Sequence, residues 1–421
     1  MARGAPPEYA DGTPGREIAT TSRVATPHYT SPVTSRRSTR RYAAFAVTAP
    51  GLAELAAREL RDLGVPVDAV DAAGVAFDAD FRSLALANLH LRTVSRVLVR
   101  VDEFRAATFH ELEKRTARIA WGDWLAPGRD VALRVTCRKS RLYHSGAVAQ
   151  RVAGALAPFA GRVTEGDAGS EESHDADEAQ RLVVRLLHDR CTISLDSSGA
   201  LLHQRGYRLA TARAPMRETL GAALLLASGW VPGTPLVDPF CGAGTLAIEG
   251  AMLARGMAPG RRRDFALSAW PGADPAVLAR LRDEARARER PSAGAPILAS
   301  DRDAGAIEAA RANAERAEVA GDVFFSVQSV SHLAPPEGAI AGAVVTNPPY
   351  GVRVGEGGDL RSLYARTGAV LRRGFVGWRL AVVAADRALT GQLGIPLRDV
   401  VQTSNGGLPV RFAAGEIVAD A

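Results

Sequence analysis

The stretch LVDPFCGAGTLAIEGAMLA, Leu236–Ala254, predicts a buried strand, a glycine turn and a helix. Gly242 and Gly244 allow the backbone to turn tightly and to approach a ligand closely. In an open α/β sheet, cofactors bind at such a turn, at the carboxyl end of the first strand. Asp238, just before the turn, would repel a pyrophosphate and suits a ligand that carries an ammonium group. The stretch therefore predicts a cofactor site, and its simpler interpretation is an ordinary turn that caps a helix.

The alternation of strand and helix patterns continues from residue 201 to residue 421. Short apolar runs alternate with long helical patterns, which is typical of a doubly wound α/β domain with a parallel sheet. We expect its strands at 236–240, 295–300, 322–327, 342–347 and 379–384. Residues 201–421 are therefore predicted to form a Rossmann-like domain.

Two smaller units are predicted upstream of this domain. Residues 42–103 alternate strand and helix patterns as a ferredoxin-like α+β unit does. Residues 104–200 predict a second α+β unit, whose strands and helix are expected at 131–135, 182–187 and 146–159. Residues 1–41 lack hydrophobic periodicity, so we expect a disordered tail or an incorrectly assigned start of the chain.

The composition excludes several classes of protein. The chain has 421 residues, 47% of them hydrophobic, with three cysteines and a net charge of +6. It has neither an apolar run long enough to cross a membrane nor the apolar centre of a signal peptide at its N-terminus. Three scattered cysteines are too few for a disulfide framework or a zinc cluster. Because Lys114 and Lys139 are the only lysines among 52 basic residues, the charge reflects an arginine-rich composition and is weak evidence for nucleic acid. We expect a cytoplasmic protein that binds neither membrane nor metal.

Two further carboxylates follow the second predicted strand. Asp301 ends that strand, where a carboxylate commonly binds the ribose hydroxyls of a nucleoside. Asp303 is a rival for this contact, although its simplest interpretation is the N-cap of the following helix. The two acidic positions, Asp238 and Asp301, are thus expected at the same edge of the sheet.

The motif VVTNPPYG, Val344–Gly351, ends the fourth predicted strand. Its two prolines fix φ and leave exposed backbone carbonyls that a helix or a sheet would otherwise consume. The side-chain oxygen of Asn347 and the carbonyl of Pro348 can then accept hydrogen bonds from an exocyclic amine. Tyr350 offers a flat face on which a planar base can stack. The motif predicts a site for an aromatic amine, and the alternative is a plain Pro-Pro turn.

Together, Asp238–Thr245, Asp301 and Asn347–Tyr350 resemble a class I S-adenosylmethionine-dependent amino-methyltransferase. More narrowly, Leu201–Trp230 and Leu133–Val152 are similar to the THUMP-domain RNA guanine-N2 methyltransferases. The resemblance implies a Rossmann-like methyltransferase domain preceded by ferredoxin-like and THUMP units, with S-adenosylmethionine as the cofactor. It also implies that NGGLPVRF, residues 405–412, is the closing strand of the sheet.

The resemblance implies a role for each residue of the site. The residues that would hold the cofactor are Asp238, Phe240, Gly242, Gly244, Asp301 and Ser329. The residues that would hold the target base are Asn347, Pro348, Pro349 and Tyr350. At position 329 the family usually has an acidic residue that contacts the adenine amine. The serine found here is a weaker acceptor than a carboxylate.

Basic and aromatic residues cluster where the helix of the predicted THUMP unit begins. They are Arg138, Lys139, Arg141, Tyr143 and His144. The basic groups would contact RNA phosphates and Tyr143 would stack on a base, although a solvated entrance to the helix is the alternative. Arg205 and Arg208 would line the RNA path or, equally well, form salt bridges between domains.

Three functions are compatible with these patterns. The leading hypothesis is methylation of guanine N2 in structured RNA by a monomeric enzyme, with 23S ribosomal RNA favoured over transfer RNA as the substrate. A DNA adenine-N6 methyltransferase would share the Asn-Pro-Pro-Tyr chemistry, but the RNA-like unit upstream argues against it. A non-catalytic RNA-binding protein with a degenerate methyltransferase domain is the third. Ser329 favours it slightly, whereas the intact Asn347–Tyr350 motif argues against it.

Overall fold

The computed structural model describes residues 40–166, 179–209, 216–350 and 360–419. Almost all of the tail predicted at residues 1–41 therefore lies outside the described residues. The described chain forms two sheets, one of eight strands and one of seven. In the described residues, no helix is long and apolar enough to cross a membrane, and no group of three or more acidic, histidine or cysteine side chains could hold a metal.

The first sheet begins with a ferredoxin-like unit, as the sequence predicts. Its elements are β1 (Tyr42–Thr48), α1 (Ala53–Asp62), β2 (Val67–Asp71), β3 (Gly74–Ala79), α2 (Phe81–His90) and β4 (Val94–Arg105). The strands pair in the order β2-β3-β1-β4, and all pairs are antiparallel. The helix α2 begins where the Asp80 side chain accepts a hydrogen bond from the Ser83 amide at 2.7 Å, a standard N-cap.

The second α+β unit extends the same sheet instead of forming one of its own. Its elements are α3 (Phe109–Thr116), β5 (Val131–Arg138), α4 (Ser145–Leu156), β6 (Val163–Glu165), β7 (Gln180–Leu187) and β8 (Arg190–Asp196). The connection is made by β4, which is 12 residues long and pairs with β1 on one side and β8 on the other. The second half of β4 is polar and lacks a continuous apolar pattern, so the sequence did not indicate the full length of this strand.

The second sheet has the Rossmann-like architecture that the sequence predicts. Its elements are α5 (Glu218–Ser228), β9 (Leu236–Asp238), α6 (Thr245–Ala254), α7 (Pro275–Ala287), β10 (Ile297–Asp301), α8 (Ala304–Arg316), β11 (Val323–Val327), β12 (Ala343–Thr346), α9 (Leu360–Gly374), β13 (Arg379–Ala384), α10 (Arg387–Gly391), β14 (Arg398–Asn405) and β15 (Leu408–Glu416). The strand order is β11-β10-β9-β12-β13-β15-β14, and every pair is parallel except β13 with β15 and β15 with β14. The order reverses at β9, so ligands are expected beside the carboxyl end of that strand.

A buried ionic cluster joins the two sheets. Arg205 donates hydrogen bonds from Nη2 to the Arg92 carbonyl and from Nε to Glu249 Oε1, at 2.6 and 3.4 Å. The Tyr207 hydroxyl donates to the same carboxylate oxygen at 3.2 Å. Arg205 is only 2% exposed, so it has no surface to offer to RNA. This geometry corresponds to the interdomain salt bridge, the second interpretation of Arg205, and argues against a place in the RNA path.

Candidate functional site

The glycine turn between β9 and α6 adopts a backbone that requires its two glycines. Gly242 and Gly244 have φ of 51° and 85°, in the left-handed region that favours glycine. A Cβ at Gly244 would also lie 3.1 Å from the Ala310 Cβ of α8. The buried Asn313 side chain holds the turn by donating to the Ala243 carbonyl at 3.1 Å. The turn is therefore rigid and brings bare backbone to the carboxyl edge of the sheet.

Asp301 ends β10, the parallel neighbour of β9, and its carboxylate contacts the turn. Its Oδ2 accepts a hydrogen bond from the Gly242 amide at 3.1 Å, and its Oδ1 accepts from the Asp303 amide at 3.0 Å. A carboxylate has about four acceptor positions, so both oxygens can still accept from ribose hydroxyls. Asp303 instead caps α8 by accepting from the Gly305 and Ala306 amides, as its simpler interpretation predicts.

Asp238 is a buried carboxylate at the end of β9. Its Oδ1 accepts a hydrogen bond from the Thr346 hydroxyl at 2.6 Å and another from the Phe240 amide at 3.2 Å. Burial raises the pKa of Asp238 from 3.8 to about 7, and the nearby charge of Asp301 adds to the increase. The two hydrogen bonds act in the opposite direction. A negative charge here is thus costly without a cation, which suits a ligand with an ammonium group.

The Asn347–Tyr350 motif follows β12, on the other side of β9 from Asp301. Asn347 Oδ1 is buried, and it has no hydrogen-bond partner among the residues that the structure describes. A buried acceptor left in this state is costly, so the oxygen is expected to meet a donor from a ligand. The Tyr364 hydroxyl donates to the Pro349 carbonyl at 3.3 Å. Asn405 Nδ2 donates to the Tyr350 hydroxyl at 2.8 Å and orients the ring.

The segments that follow β9 and β12 are in direct contact, because the Thr346 hydroxyl donates to Asp238. A small apolar cavity behind them is lined by Pro239, Phe240 and Pro348 together with core residues of α9 and β13, and its lining includes neither the two glycines of the turn nor Asn347. The pairing of β9 with β12 places Val237 beside Val344, so both strand ends reach the same edge. The expected juxtaposition of the cofactor segment and the amine segment is therefore present in the structure.

Ser329 lies at the same edge of the sheet, after β11. It is exposed, and its hydroxyl accepts a hydrogen bond from the Ser331 amide at 3.4 Å as the cap of a short 3-10 helix. The Gln328 amide just before it donates to the Asp301 carbonyl at 3.0 Å. Ser329 thus follows the strand that neighbours Asp301, and the side chain that it offers there is a hydroxyl.

Arg208 lies beside the glycine turn and is partly buried, and Cys241 directly precedes Gly242 and is buried. Arg208 Nη2 donates to the Thr245 hydroxyl at 2.6 Å and to the Met216 carbonyl at 2.8 Å, and Arg208 Nε lies 3.2 Å from a Glu218 carboxylate oxygen. It supports the start of α6, so these contacts argue against its predicted role in lining the RNA path. Burial raises the pKa of the Cys241 thiol, which keeps it protonated and favours a packing role over nucleophilic attack.

Five of the seven predicted RNA-binding residues lie at the end of β5 and in the loop between β5 and α4. The exposed members are Arg138, Lys139, Arg141, Tyr143 and His144. The Tyr143 side chain is 70% exposed, and its ring lies 4.2 Å from the His144 ring, measured between centroids. The loop therefore presents cations and aromatic faces to solvent, on the first sheet, whereas the glycine turn belongs to the second sheet.

The sequence did not identify four residues that shape the site. They are Thr346, Asn313, Tyr364 and Asn405, each of which makes one of the hydrogen bonds described above. Only Thr346 carried a usable signal, because it directly precedes the Asn-Pro-Pro-Tyr motif at a strand end. The others lie on elements that reach the site through tertiary packing.

The chain matches two families of known proteins. One, described as RMKL-like, methyltransferase domain, matches residues 205–406, and the other, described as RlmL ferredoxin-like domain, matches residues 43–98. A Synechocystis sp. protein, provisionally named RNA methyltransferase slr0064, is 34% identical over 383 residues, which are 90% of this chain and 97% of that protein. The ribosomal RNA large subunit methyltransferase K/L of Syntrophotalea carbinolica is 36% identical over 381 residues, which are 87% of this chain but 53% of that enzyme. The chain thus spans about half the length of the K/L enzyme.

Solved structures resemble the described fold. SMU.472, a provisionally assigned methyltransferase complexed with SAH, has a TM-score of 0.80 and 27% identity, and the match covers 91% of this chain and 99% of that one. A Listeria monocytogenes protein, described as a predicted N6-adenine-specific DNA methylase, has a TM-score of 0.74 and 31% identity, with coverage of 89% and 96%.

Proposed function

Because the chain belongs to the RMKL-like methyltransferase family, we propose that it methylates the exocyclic N2 of a guanine in structured RNA. The cofactor is S-adenosylmethionine, and 23S ribosomal RNA is the substrate that we favour. The observation that carries the proposal is the buried Asn347 oxygen, which has no partner among the described residues. Asn347 directly follows Thr346, whose hydroxyl donates to the Asp238 carboxylate, so an acceptor for an amine and a carboxylate for a cation occur on two segments that are in contact.

The residues at the sheet edge fit the cofactor. Asp238 would hold its ammonium group, because a buried carboxylate is stabilised by a neighbouring cation. Asp301 keeps acceptor positions for the ribose hydroxyls, and the left-handed Gly242 and Gly244 leave room for the methionine end. Ser329 would contribute a hydroxyl near the adenine. The weaker acceptor at this position predicts lower affinity at the adenine end than a carboxylate would give.

The Asn-Pro-Pro-Tyr segment would hold and activate the target amine. Asn347 Oδ1 and the Pro348 carbonyl accept hydrogen bonds from the NH2 group, which fixes its direction and increases electron density on nitrogen. The Pro349 carbonyl is already engaged by Tyr364, so the neighbouring Pro348 carbonyl is the one left for the substrate. S-adenosylmethionine, when bound, would supply the methyl group and leave as S-adenosylhomocysteine, and the methylated amine would release one proton to solvent. Positioning of the weakly nucleophilic amine is then the main contribution of the protein.

RNA is favoured over DNA as the substrate because of the exposed loop on the first sheet. Its cations and aromatic rings suit phosphates and the unstacked bases of RNA loops. The relatives that are named as RNA or ribosomal RNA methyltransferases align with 90% and 87% of this chain, and these alignments extend over both of its sheets. A DNA adenine-N6 methyltransferase is the second candidate, since one structural relative carries that description. Transfer RNA is the alternative RNA substrate.

The proposal is tested by product analysis with a matched variant. Purified protein is incubated with methyl-labelled S-adenosylmethionine and, separately, unmodified 23S ribosomal RNA, transfer RNA or duplex DNA, and the nucleosides are identified by mass spectrometry. We expect N2-methylguanosine from ribosomal RNA. Asn347→Ala should abolish transfer while leaving cofactor affinity within about threefold of the wild type, because a single acceptor oriented at the amine contributes to the reaction and not to cofactor binding. N6-methyladenine in DNA, or full activity of the variant, would contradict the proposal.

A further inference from the structure

Two neighbouring surface turns of the first sheet share an uncommon backbone conformation. Four non-glycine residues in the described part of the chain have positive φ, and three of them lie here. They are Lys139, in the loop after β5, and His188 and Asp189, in the turn between β7 and β8, with φ of 48°, 52° and 60°. A two-residue hairpin turn of type I′ requires positive φ at both positions, and it favours Asn-Gly over His-Asp. Such conformations in residues with a Cβ persist only where surrounding contacts enforce them, often at functional sites.

Asp189 is the residue that ties the turn to the loop. Its Oδ1 accepts a hydrogen bond from the Arg141 amide at 2.7 Å, and its own amide donates to the Ser140 hydroxyl at 3.0 Å. The Ser140 hydroxyl in turn donates to the Arg138 carbonyl at 3.0 Å. These bonds bracket Lys139 on both sides and hold it in the left-handed conformation. The acid is therefore part of the frame of a loop that is otherwise basic.

The turn between β7 and β8 is itself fixed to the rest of the sheet. The Asp189 carbonyl accepts a hydrogen bond from the Ala106 amide, which follows β4, at 2.8 Å. The pairing of β5 with β7 and of β7 with β8 carries the register up to Arg138, Leu187 and Arg190. The pairing of β5, β7 and β8 thus fixes the position of the turn, and the hydrogen bonds of Asp189 fix the backbone of residues 138–141 relative to it.

We propose that Asp189 is a positioning residue that preforms the surface on which Arg138, Lys139 and Arg141 bind RNA phosphates. The inference rests on the proposed function, since it assumes that RNA is the substrate. A loop that already has its bound conformation loses little conformational entropy when RNA binds, so it binds more tightly than a flexible loop with the same side chains. The exposed Tyr143–His144 ring pair at the end of the same loop would stack on an unpaired base.

The inference predicts that loss of the Asp189 side chain weakens RNA binding, whereas charge alone predicts stronger binding. Removal of an acid from a basic surface should strengthen RNA binding if only charge matters. Asp189→Asn removes the charge but keeps an oxygen that can accept from the Arg141 amide, and asparagine tolerates the left-handed conformation. Asp189→Ala removes the charge and the acceptor together. The pair therefore separates the charge of Asp189 from its positioning role.

The experiment measures binding of the full chain to an unmodified fragment of 23S ribosomal RNA at about 50 and about 200 mM salt. We expect Asp189→Ala to bind about three- to tenfold more weakly than the wild type at both salt concentrations, as for the loss of one or two hydrogen bonds. Asp189→Asn should bind as tightly as the wild type or more tightly. If both variants bind more tightly by the same factor, the inference is wrong.

A second variant covers the case in which Asp189→Ala fails to fold. Ser140→Ala removes the bridging hydroxyl and leaves every charge in place, so we expect weaker RNA binding with an unchanged salt dependence. Unchanged binding by Ser140→Ala would overturn the inference. Failure of the proposed function gives a different result, because the wild-type protein would then neither bind nor methylate the RNA. Failure of the inference alone leaves wild-type binding and methylation intact.

Discussion

The hydrogen bond between Thr346 and Asp238 predicts how cofactor binding depends on pH. Asp238 is 2% exposed, and burial raises its pKa from 3.8 to about 7, while the Thr346 hydroxyl at 2.6 Å opposes that increase. The titratable groups that face it are Asp301, whose charge raises the pKa further, and the thiol of Cys241, which stays protonated and neutral. Only the carboxylate form attracts the cofactor ammonium. Affinity should therefore increase as the pH rises towards about 7 and level off above it.

The size of the effect follows from the ionised fraction of Asp238. With a pKa of about 7, about one tenth of the protein carries the carboxylate at pH 6 and about half at pH 7, so apparent affinity should rise about fivefold. Thr346→Val keeps the shape of the side chain and removes the hydroxyl. A hydrogen bond to a charged group contributes about 1.5–3 kcal/mol, which corresponds to about one to two pKa units. The midpoint should move to about 8 or 9, and affinity at pH 7 should fall about five- to fiftyfold.

Calorimetric titration with S-adenosylmethionine, without RNA, measures this directly. The range should be about pH 5.5 to 7.5, because an α-amino group with a pKa of about 7.7–8.0 remains mostly protonated there. Thr346→Ser is the control, since its hydroxyl can still donate to Asp238. A wild-type affinity that does not change over this range, or a Thr346→Val midpoint equal to that of the wild type, would refute the reasoning.

Two other contacts lead to predictions of stability and activity. Glu249→Ala leaves the buried guanidinium of Arg205 without its carboxylate. The free energy of unfolding, measured by urea titration, should therefore fall by about 3–5 kcal/mol. A loss below about 1 kcal/mol would show that the cluster relaxes around the missing charge. Asn405→Ala frees the Tyr350 ring and should lower kcat about three- to tenfold without changing cofactor affinity. In a Tyr350→Phe background the same change should have no further effect, because the bond is already missing. An equal loss in both backgrounds would exclude a role through the tyrosine hydroxyl.

The second sheet could be predicted closely because its information is local. The central parallel strands β9, β12 and β13 are buried on both faces and therefore read as short apolar runs. The turn residues that follow β9 and β12 have special backbone requirements. The positions of β9, β10 and β12 followed from such runs. Because parallel strands end at one edge, Asp238, Asp301 and Asn347 could be expected near each other without knowledge of the contacts.

The first sheet was harder to predict because its continuity depends on distant pairing. Leu98 pairs with Asp196 across nearly a hundred residues, and neither strand contains a local signal for that partner. The sequence therefore indicated two α+β units without showing that their strands belong to one sheet. The same limit applies to arginines, whose exposure depends on what packs over them: Arg138 is exposed, whereas Arg205 is buried against Glu249.

One hydrogen bond couples the segment that would bind the methyl donor to the segment that would bind the target amine. Asp238 belongs to the cofactor segment and Thr346 to the amine segment, and they share a buried hydrogen bond. A shift of β12 relative to β9 would break that bond, raise the pKa of Asp238 further and weaken its hold on a cation. The same shift would move Asn347, the next residue after Thr346. Correct placement of the amine acceptor and charge on the cofactor carboxylate are thus two consequences of one strand register, and a variant that disturbs the register should lose both.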